Sequence, residues 1–447
     1  MFNQIREFKV HFIGVGGVSM SWLAEYFKEL GFIVSGSDRV KSKNLEKLRK
    51  KGIRVFEGHD KCNVDDAHVV VFSDAISEDN VELKEARQRG LYILSRGEAL
   101  SSVAENFGDT VGVAGCHGKT TTTCMIAHIF KCASLKFTAH VGGEDVSLGN
   151  FVMQGGDVFL SEVCEFKKNI NKFNADYAVC LNTDKDHLDC YDDESELKNA
   201  YVSFAKRAYK SIINKNDDVL SKVDLDNSVG FSIDGKQGYT AQNVLNKHGR
   251  YAFDLYKDNK NLGRIELSVY GAHNVENALA AATCAIQMGI DFRYVKRGIK
   301  EFKGVVRRFE KIGKINGAEI IADYAHHPTE ILACLKTAEQ MTEGNLYVVF
   351  QPHTYSRTVY LKAEFINVLS KIKNLCLFKT FPARENYKKG GSAYDLHLLI
   401  ENSEYFDDVD AMLKAYRDRL KRKDVLLILG AGDLYDLIKE KLEINSL

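Results

Sequence analysis

Short apolar runs alternate with amphipathic stretches along most of the chain. Val10 to Ile13, Ile33 to Ser37, Val69 to Phe72 and Tyr92 to Leu94 read as strands, with a helix from Val18 to Leu30 between the first two. The pattern predicts a doubly wound α/β unit over residues 1–107. A second unit, 108–304, starts at Thr110-Val-Gly-Val-Ala114 and continues through Val158 to Leu160 and Tyr177 to Leu181. Between Gly230 and Tyr270, strands broken by Asp258-Asn-Lys-Asn261 predict an antiparallel insert, and Val275 to Met288 reads as a helix with an Ala-rich face. The third unit, 305–447, repeats the α/β grammar with Ile320 to Ala322, Leu346 to Phe350, Leu375 to Phe378 and Val425 to Leu429. The expected fold is α/β in three domains.

Two strands run into glycine turns. Gly115-Cys-His-Gly-Lys-Thr-Thr-Thr122 follows Ala114 and opens a helix near Lys119. In such a turn the backbone N–H groups and the positive end of the helix dipole hold phosphate oxygens. A lysine there reaches the terminal phosphates, and a threonine hydroxyl can ligate Mg²⁺. Gly115, His117, Gly118, Lys119, Thr120 and Thr121 are therefore candidate ATP-binding residues. The spacing departs from the general P-loop form, so the strand and helix context carries the reading. As a surface-loop lysine, Lys119 is expected to add little to stability.

The other turn, Gly14-Val-Gly-Gly-Val-Ser19, is followed by a helix and then by Ser37-Asp38 at the next strand end. That arrangement is similar to a dinucleotide fingerprint, with Asp38 placed to bond a ribose or a base and Ser19 in place of the last glycine. A dehydrogenase fits poorly, because nothing downstream supplies a hydride-transfer site. In the central unit Phe159-Leu-Ser-Glu162 and Ala178-Val-Cys-Leu-Asn182, leading to Asp186-His187, end strands in candidate metal ligands. Strand C-termini of a parallel sheet share one edge, so Thr120, Glu162 and His187 are expected to converge on Mg²⁺ or Mn²⁺, with phosphates and waters completing the shell. By the same edge argument His326, His327, His353 and Arg357, in Asp323-Tyr-Ala-His-His-Pro328 and Gln351-Pro-His-Thr-Tyr-Ser-Arg-Thr358, face one cleft suited to phosphate and carboxylate groups.

Composition narrows the function further. Lysine plus arginine and aspartate plus glutamate both number 61, so no net basic field exists to hold nucleic acid. The ten cysteines lie without metal-ligand spacing, several inside apolar runs, and read as core residues in a reducing compartment. No apolar run reaches membrane-spanning length, and the start of the chain shows no basic leader, so a soluble cytoplasmic protein without membrane partners is expected.

Together these motifs resemble the Mur ligases of peptidoglycan synthesis. The likeness runs through His11 to Met20, Gly115 to Thr122, Tyr270-Gly-Ala-His-Asn-Val-Glu-Asn-Ala278, Arg307-Arg-Phe-Glu310, Asp323 to Pro328, Phe350 to Thr358 and Gly430-Ala-Gly-Asp433. The Gln-Pro-His and Tyr-Ala-His-His-Pro blocks point to the branch that joins L-alanine to UDP-N-acetylmuramate. The resemblance implies a Rossmann-like N-terminal domain for the UDP-sugar, a central P-loop ATPase domain and a mobile Rossmann-like C-terminal domain that completes the site. It implies that ATP phosphorylates the substrate carboxylate and that an amine attacks the acyl phosphate; the sequence leaves both a monomer and a homodimer open.

By the same resemblance, Gly14, Gly16, Gly17, Ser37, Asp38 and Ser73 serve the UDP-sugar. His273, Asn274 and Asn277 contact the nucleotide; Asp323 reaches its ribose and Arg308 its terminal phosphate. Lys119, His326, His353 and Arg357 are the catalytic candidates, and Thr120, Glu162 and His187 the metal ligands. Departures occur at Glu162-Val-Cys-Glu-Phe166, where the family has Glu-Ala-Asp-Glu-Ser, at Lys185 for proline, and at Thr354 for arginine. Phe204 falls where sister ligases carry a carbamylated lysine. The alternatives are a ligase that recycles a preformed peptide onto UDP-N-acetylmuramate and a nucleotide-binding regulatory module without catalysis.

Overall fold

The structure is a computed structural model that describes residues 8–183, 191, 193–383 and 385–444. Among these residues, three sheets organise the chain. The first has five parallel strands, β1 (Lys9–Ile13), β2 (Ile33–Asp38), β3 (Arg54–Glu57), β4 (Val69–Phe72) and β5 (Tyr92–Ser95), in the order β3-β2-β1-β4-β5. Reversal of strand order about β1 leaves a crevice at its C-terminal end, where the glycine turn sits.

The second sheet has ten strands: β6 (Asp109–Ala114), β7 (Phe137–Asp145), β8 (Gly149–Met153), β9 (Val158–Val163), β10 (Tyr177–Cys180), β11 (Lys210–Asn214), β12 (Ser228–Ile233), β13 (Tyr239–Lys247), β14 (Arg250–Lys257) and β15 (Lys260–Tyr270). Their order is β15-β14-β13-β12-β11-β10-β6-β9-β7-β8. Parallel pairing of β6 with both β9 and β10 sets three strand C-termini side by side. The region expected to be an antiparallel insert continues this sheet, which it enters through the parallel pairing of β13 with β12. Two-residue turns with left-handed backbone, His248-Gly249 and Asp258-Asn259, then join β13 to β14 and β14 to β15.

The third sheet comprises β16 (Glu310–Ile315), β17 (Ala318–Asp323), β18 (Leu346–Phe350), β19 (Leu375–Phe378), β20 (Ser403–Phe406) and β21 (Val425–Leu429), in the order β16-β17-β21-β18-β19-β20. Only the β16–β17 pair is antiparallel among them. Every residue of Val425-Leu-Leu-Ile-Leu429 is buried, as a central strand covered by helices on both faces requires. The chain divides into two compact units. One comprises Met1–Val244, Phe253–Glu266 and Glu276–Lys303 and holds the first sheet and most of the second; the other comprises Leu245–Ala252, Leu267–Val275 and Gly304–Leu447. Among the described residues no helix is long and apolar enough to cross a membrane.

Candidate functional site

The phosphate loop leaves β6 at Ala114 and enters the helix Lys119–Cys132. Two of its residues must be glycine. Gly115 has φ +152°, and a Cβ there would lie 2.9 Å from Leu181 Cβ; Gly118 has φ +82° and would place a Cβ 2.3 Å from Asn277 Oδ1. The close approach brings Asn277, a nucleotide candidate, against the loop. Asn182, at the end of β10, clamps the loop's middle, accepting from His117 N at 2.8 Å and donating to His117 O at 3.0 Å. No side chain caps the helix, so its first amides are available to an anion.

Lys119 corrects one expectation. Its side chain is 16% exposed and pairs with the fully buried Glu165 carboxylate at 3.1 Å, while Nζ also donates to Gly115 O. Burial alone would lower the lysine pKa, and the Glu165 charge more than reverses this, so the ammonium is held above its usual value. Lys119 is a structural cation as well as a phosphate candidate. Thr120, in the same first turn, donates to Glu162 Oε2 at 3.1 Å, and Gly142 N donates to Glu162 Oε1 at 2.5 Å. A hydroxyl and a carboxylate oxygen at a phosphate loop form the hard donor set that suits Mg²⁺, which keeps several waters and phosphate oxygens of its own. The third expected ligand, His187, lies outside the described residues. Thr121 is half-buried in the same turn. In the altered run, burial pushes the Cys164 thiol up to about 11, so no thiolate charge enters the site near neutrality.

At the other turn Gly14 has φ +81°, and its close neighbour is Ser73, whose Cβ would lie 3.0 Å from an added Cβ. Gly16 N donates to Asp38 Oδ2 at 2.9 Å, which holds the turn open beside an exposed Gly17. Ser37 differs from expectation: its side chain is fully buried and donates to Glu82 at 2.5 Å, while its carbonyl accepts from Gly14 N and Val15 N. It supports the turn from beneath.

In the unit that carries the third sheet, Arg357 Nη1 lies 3.0 Å from His353 O and 3.3 Å from His353 Nδ1. The His353 ring stacks on Phe381 and lies 6.0 Å from the His326 ring. Burial, then the charges of His326 and Arg357, push His353 down to about 4; burial also lowers His326 against the pull of Glu330. Both imidazoles are therefore neutral at physiological pH. His327, expected in this cleft, instead caps the helix Pro328–Met341 through a capping box with Glu330. Asp323 accepts from the amides of Phe309 and Ala325, and Arg308 lies beside Glu330 at 3.8 Å. Asn274 donates to Tyr270 O at 2.6 Å, and His273 packs against Gly271. Thr354 donates to Glu385 at 2.6 Å, and Ser356 N donates to the same carboxylate. Glu385 had no motif to announce it.

Sequence models of three consecutive domains match this chain: "Mur ligase family, catalytic domain" over residues 9–108, "Mur ligase middle domain" over 113–285 and "Mur ligase, glutamate ligase domain" over 307–432. The chain belongs to the Mur ligase family. This Mur ligase is 38% identical over 444 residues to the UDP-N-acetylmuramate–L-alanine ligase of Clostridium acetobutylicum, with 96% of each chain covered. It is 38% identical over 446 residues to the protein of the same name from Aquifex aeolicus, covering 98% of each. Among solved structures, the UDP-N-acetylmuramate–alanine ligase of Thermotoga maritima matches with a TM-score of 0.84 at 27% identity, over 98% of this chain and 99% of that one. A murein peptide ligase from Psychrobacter arcticus shares the fold, with a TM-score of 0.75 at 20% identity over 98% of each chain. In this Mur ligase, Lys119, Thr120, Glu162 and Asn277 meet at one loop, and His326, His353 and Arg357 meet in the other unit.

Proposed function

We propose that this Mur ligase joins L-alanine to the carboxylate of UDP-N-acetylmuramate at the expense of ATP, in the cytoplasm, as a step of peptidoglycan precursor synthesis. The observation that carries the reading is the phosphate loop in which Lys119 and the Thr120–Glu162 pair meet. The reaction passes the γ-phosphoryl group to a carboxylate oxygen and releases ADP. The amine nitrogen of alanine then attacks the acyl carbon, phosphate leaves, and the nitrogen loses a proton. Both steps gather negative charge, so fixed cations and helix N-termini supply most of the catalysis.

Lys119 and the loop amides Gly115 to Thr121 hold the phosphates, and Asn274, Asn277, His273, Asp323 and Arg308 serve the rest of the nucleotide. Thr120, Glu162 and His187 would hold Mg²⁺, which, when bound, screens the phosphate oxygens. Gly14, Gly16, Gly17, Asp38 and Ser73 receive the UDP-sugar. Arg357 takes the amino-acid carboxylate, and the neutral imidazoles of His326 and His353 can accept the amine proton. Relatives that share 37–38% of their residues over nearly the whole chain and carry the alanine ligase name support the choice of substrates. ADP release that requires both UDP-N-acetylmuramate and L-alanine is the expected result; ADP release without either would refute the reading.

A further inference from the structure

His140, on β7, is 3% exposed, yet both its ring nitrogens are engaged by hydroxyls from different parts of the fold. Nε2 lies 2.8 Å from Ser19 Oγ, in the first turn of the helix that follows the N-terminal glycine turn. Nδ1 lies 3.0 Å from Ser161 Oγ, on the residue directly before Glu162. The Ser161 hydroxyl donates its single proton to Glu162 O at 2.9 Å, so its oxygen accepts from His140 Nδ1–H. Nε2 then carries the lone pair and accepts from Ser19. One directional chain therefore runs from the glycine turn to the backbone of the candidate metal ligand: Ser19 O–H to His140, His140 N–H to Ser161, Ser161 O–H to Glu162.

The same strand reaches Glu162 a second way. Two residues after His140, Gly142 N donates to Glu162 Oε1, while Oε2 receives Thr120. The imidazole is fixed between Ser19 and Ser161 by Trp22, whose ring meets it edge-on at 5.2 Å and whose Nε1 donates to Ala139 O at 2.7 Å. An apolar side chain could fill this space beside Trp22 without burying two polar nitrogens. What the imidazole adds is a rigid, hydrogen-bonded link between two loops that serve different ligands.

We propose that His140 is a positioning residue that couples sugar-nucleotide binding at the N-terminal glycine turn to divalent-cation binding at Glu162. The proposal rests on the functional reading above. A bound UDP-sugar fixes the turn that carries Ser19, the chain holds Ser161 and Gly142 in place, and Glu162 is set for the cation. Coupling is reciprocal, so cation and nucleotide must tighten sugar-nucleotide binding by the same factor.

The test is calorimetric titration of the full chain with UDP-N-acetylmuramate in the presence of ADP, with and without Mg²⁺, which involves no turnover. The wild-type protein is expected to bind about fivefold or more tightly with Mg²⁺. Ser19→Ala and Ser161→Ala should each still bind the sugar nucleotide but bring that ratio close to one, and Ser19→Thr, which keeps the hydroxyl, should retain it. Ser19 is half-exposed, so its variants keep the experiment readable even if Ser161→Ala fails to fold. A wild-type ratio of one, or an unchanged ratio in Ser19→Ala, overturns the coupling while leaving the functional reading intact. No binding of UDP-N-acetylmuramate by the wild-type protein overturns both.

Discussion

Replacing Lys119 with alanine should do two separable things. It removes the cation from the phosphate loop, and it takes the cation partner away from the Glu165 carboxylate, whose side chain is fully buried 3.1 Å from the ammonium. Breaking a buried ion pair by deleting one partner costs about 3–5 kcal/mol, because the remaining charge keeps its desolvation penalty. The expected loss of stability is therefore about 3–5 kcal/mol. Lys119→Ala/Glu165→Gln, which removes the carboxylate charge, should recover most of this. Turnover should not recover, because neither variant has the cation, and loss of one such electrostatic contact lowers the rate by about 10²–10³-fold or more. Chemical denaturation at pH 7.5 reads the first effect, and ADP release in the presence of both substrates reads the second. Stability unchanged in Lys119→Ala would show that the Glu165 pair is not the strong contact argued here. Normal turnover would remove the phosphate-loop argument.

Thr120→Ala and Glu162→Ala should each raise the Mg²⁺ concentration needed for half-maximal activity, and an unchanged metal titration in both would refute their role as ligands. Gly118→Ala forces a left-handed backbone on a residue with a side chain and drives its Cβ toward Asn277 Oδ1, so KM for ATP should rise and stability should fall by ~1–2 kcal/mol; a silent substitution would mean that the loop conformation is not required. Burial, then the charge of Arg96, push His140 down to about 3, so below pH 6.5 the unfolded chain binds a proton that the folded one does not. Stability should therefore fall as pH drops from 6.5 to 5, by about 1.6 kcal/mol in all from this residue alone. His140→Asn should flatten that slope, and a slope identical to wild type would show that the imidazole is not buried neutral.

Much of this architecture was legible because the central strands are continuous apolar runs. Val69–Phe72, Leu346–Phe350, Leu375–Phe378 and Val425–Leu429 have the same bounds in the structure as in the sequence reading. Six strands escaped: β3, β8, β16 and β20 are sheet edges, where one flank faces solvent and charged or polar residues break the pattern, whereas β7 and β11 lie inside the second sheet. Glycine, lysine and threonine lie next to each other in the phosphate loop, so local spacing was enough to find it. Glu165 lies 46 residues from Lys119 and Glu385 lies 31 from Thr354, each brought in from another segment. That distance is why Lys119 passed for a solvated surface lysine and why Ser37, 45 residues from Glu82, passed for a ligand group; His327 passed for one although its capping partner Glu330 lies three residues on.

The central claim is that this chain ligates a free amino acid to UDP-N-acetylmuramate. ADP release measured with UDP-N-acetylmuramate against L-alanine, glycine, L-serine and a preformed cell-wall tripeptide tests it most directly. The account predicts the highest kcat/KM with L-alanine, and slower turnover with glycine and L-serine, because a methyl-sized pocket separates such neighbours by only ~1–3 kcal/mol. Preference for the tripeptide, or ADP release indifferent to the amine, would contradict it.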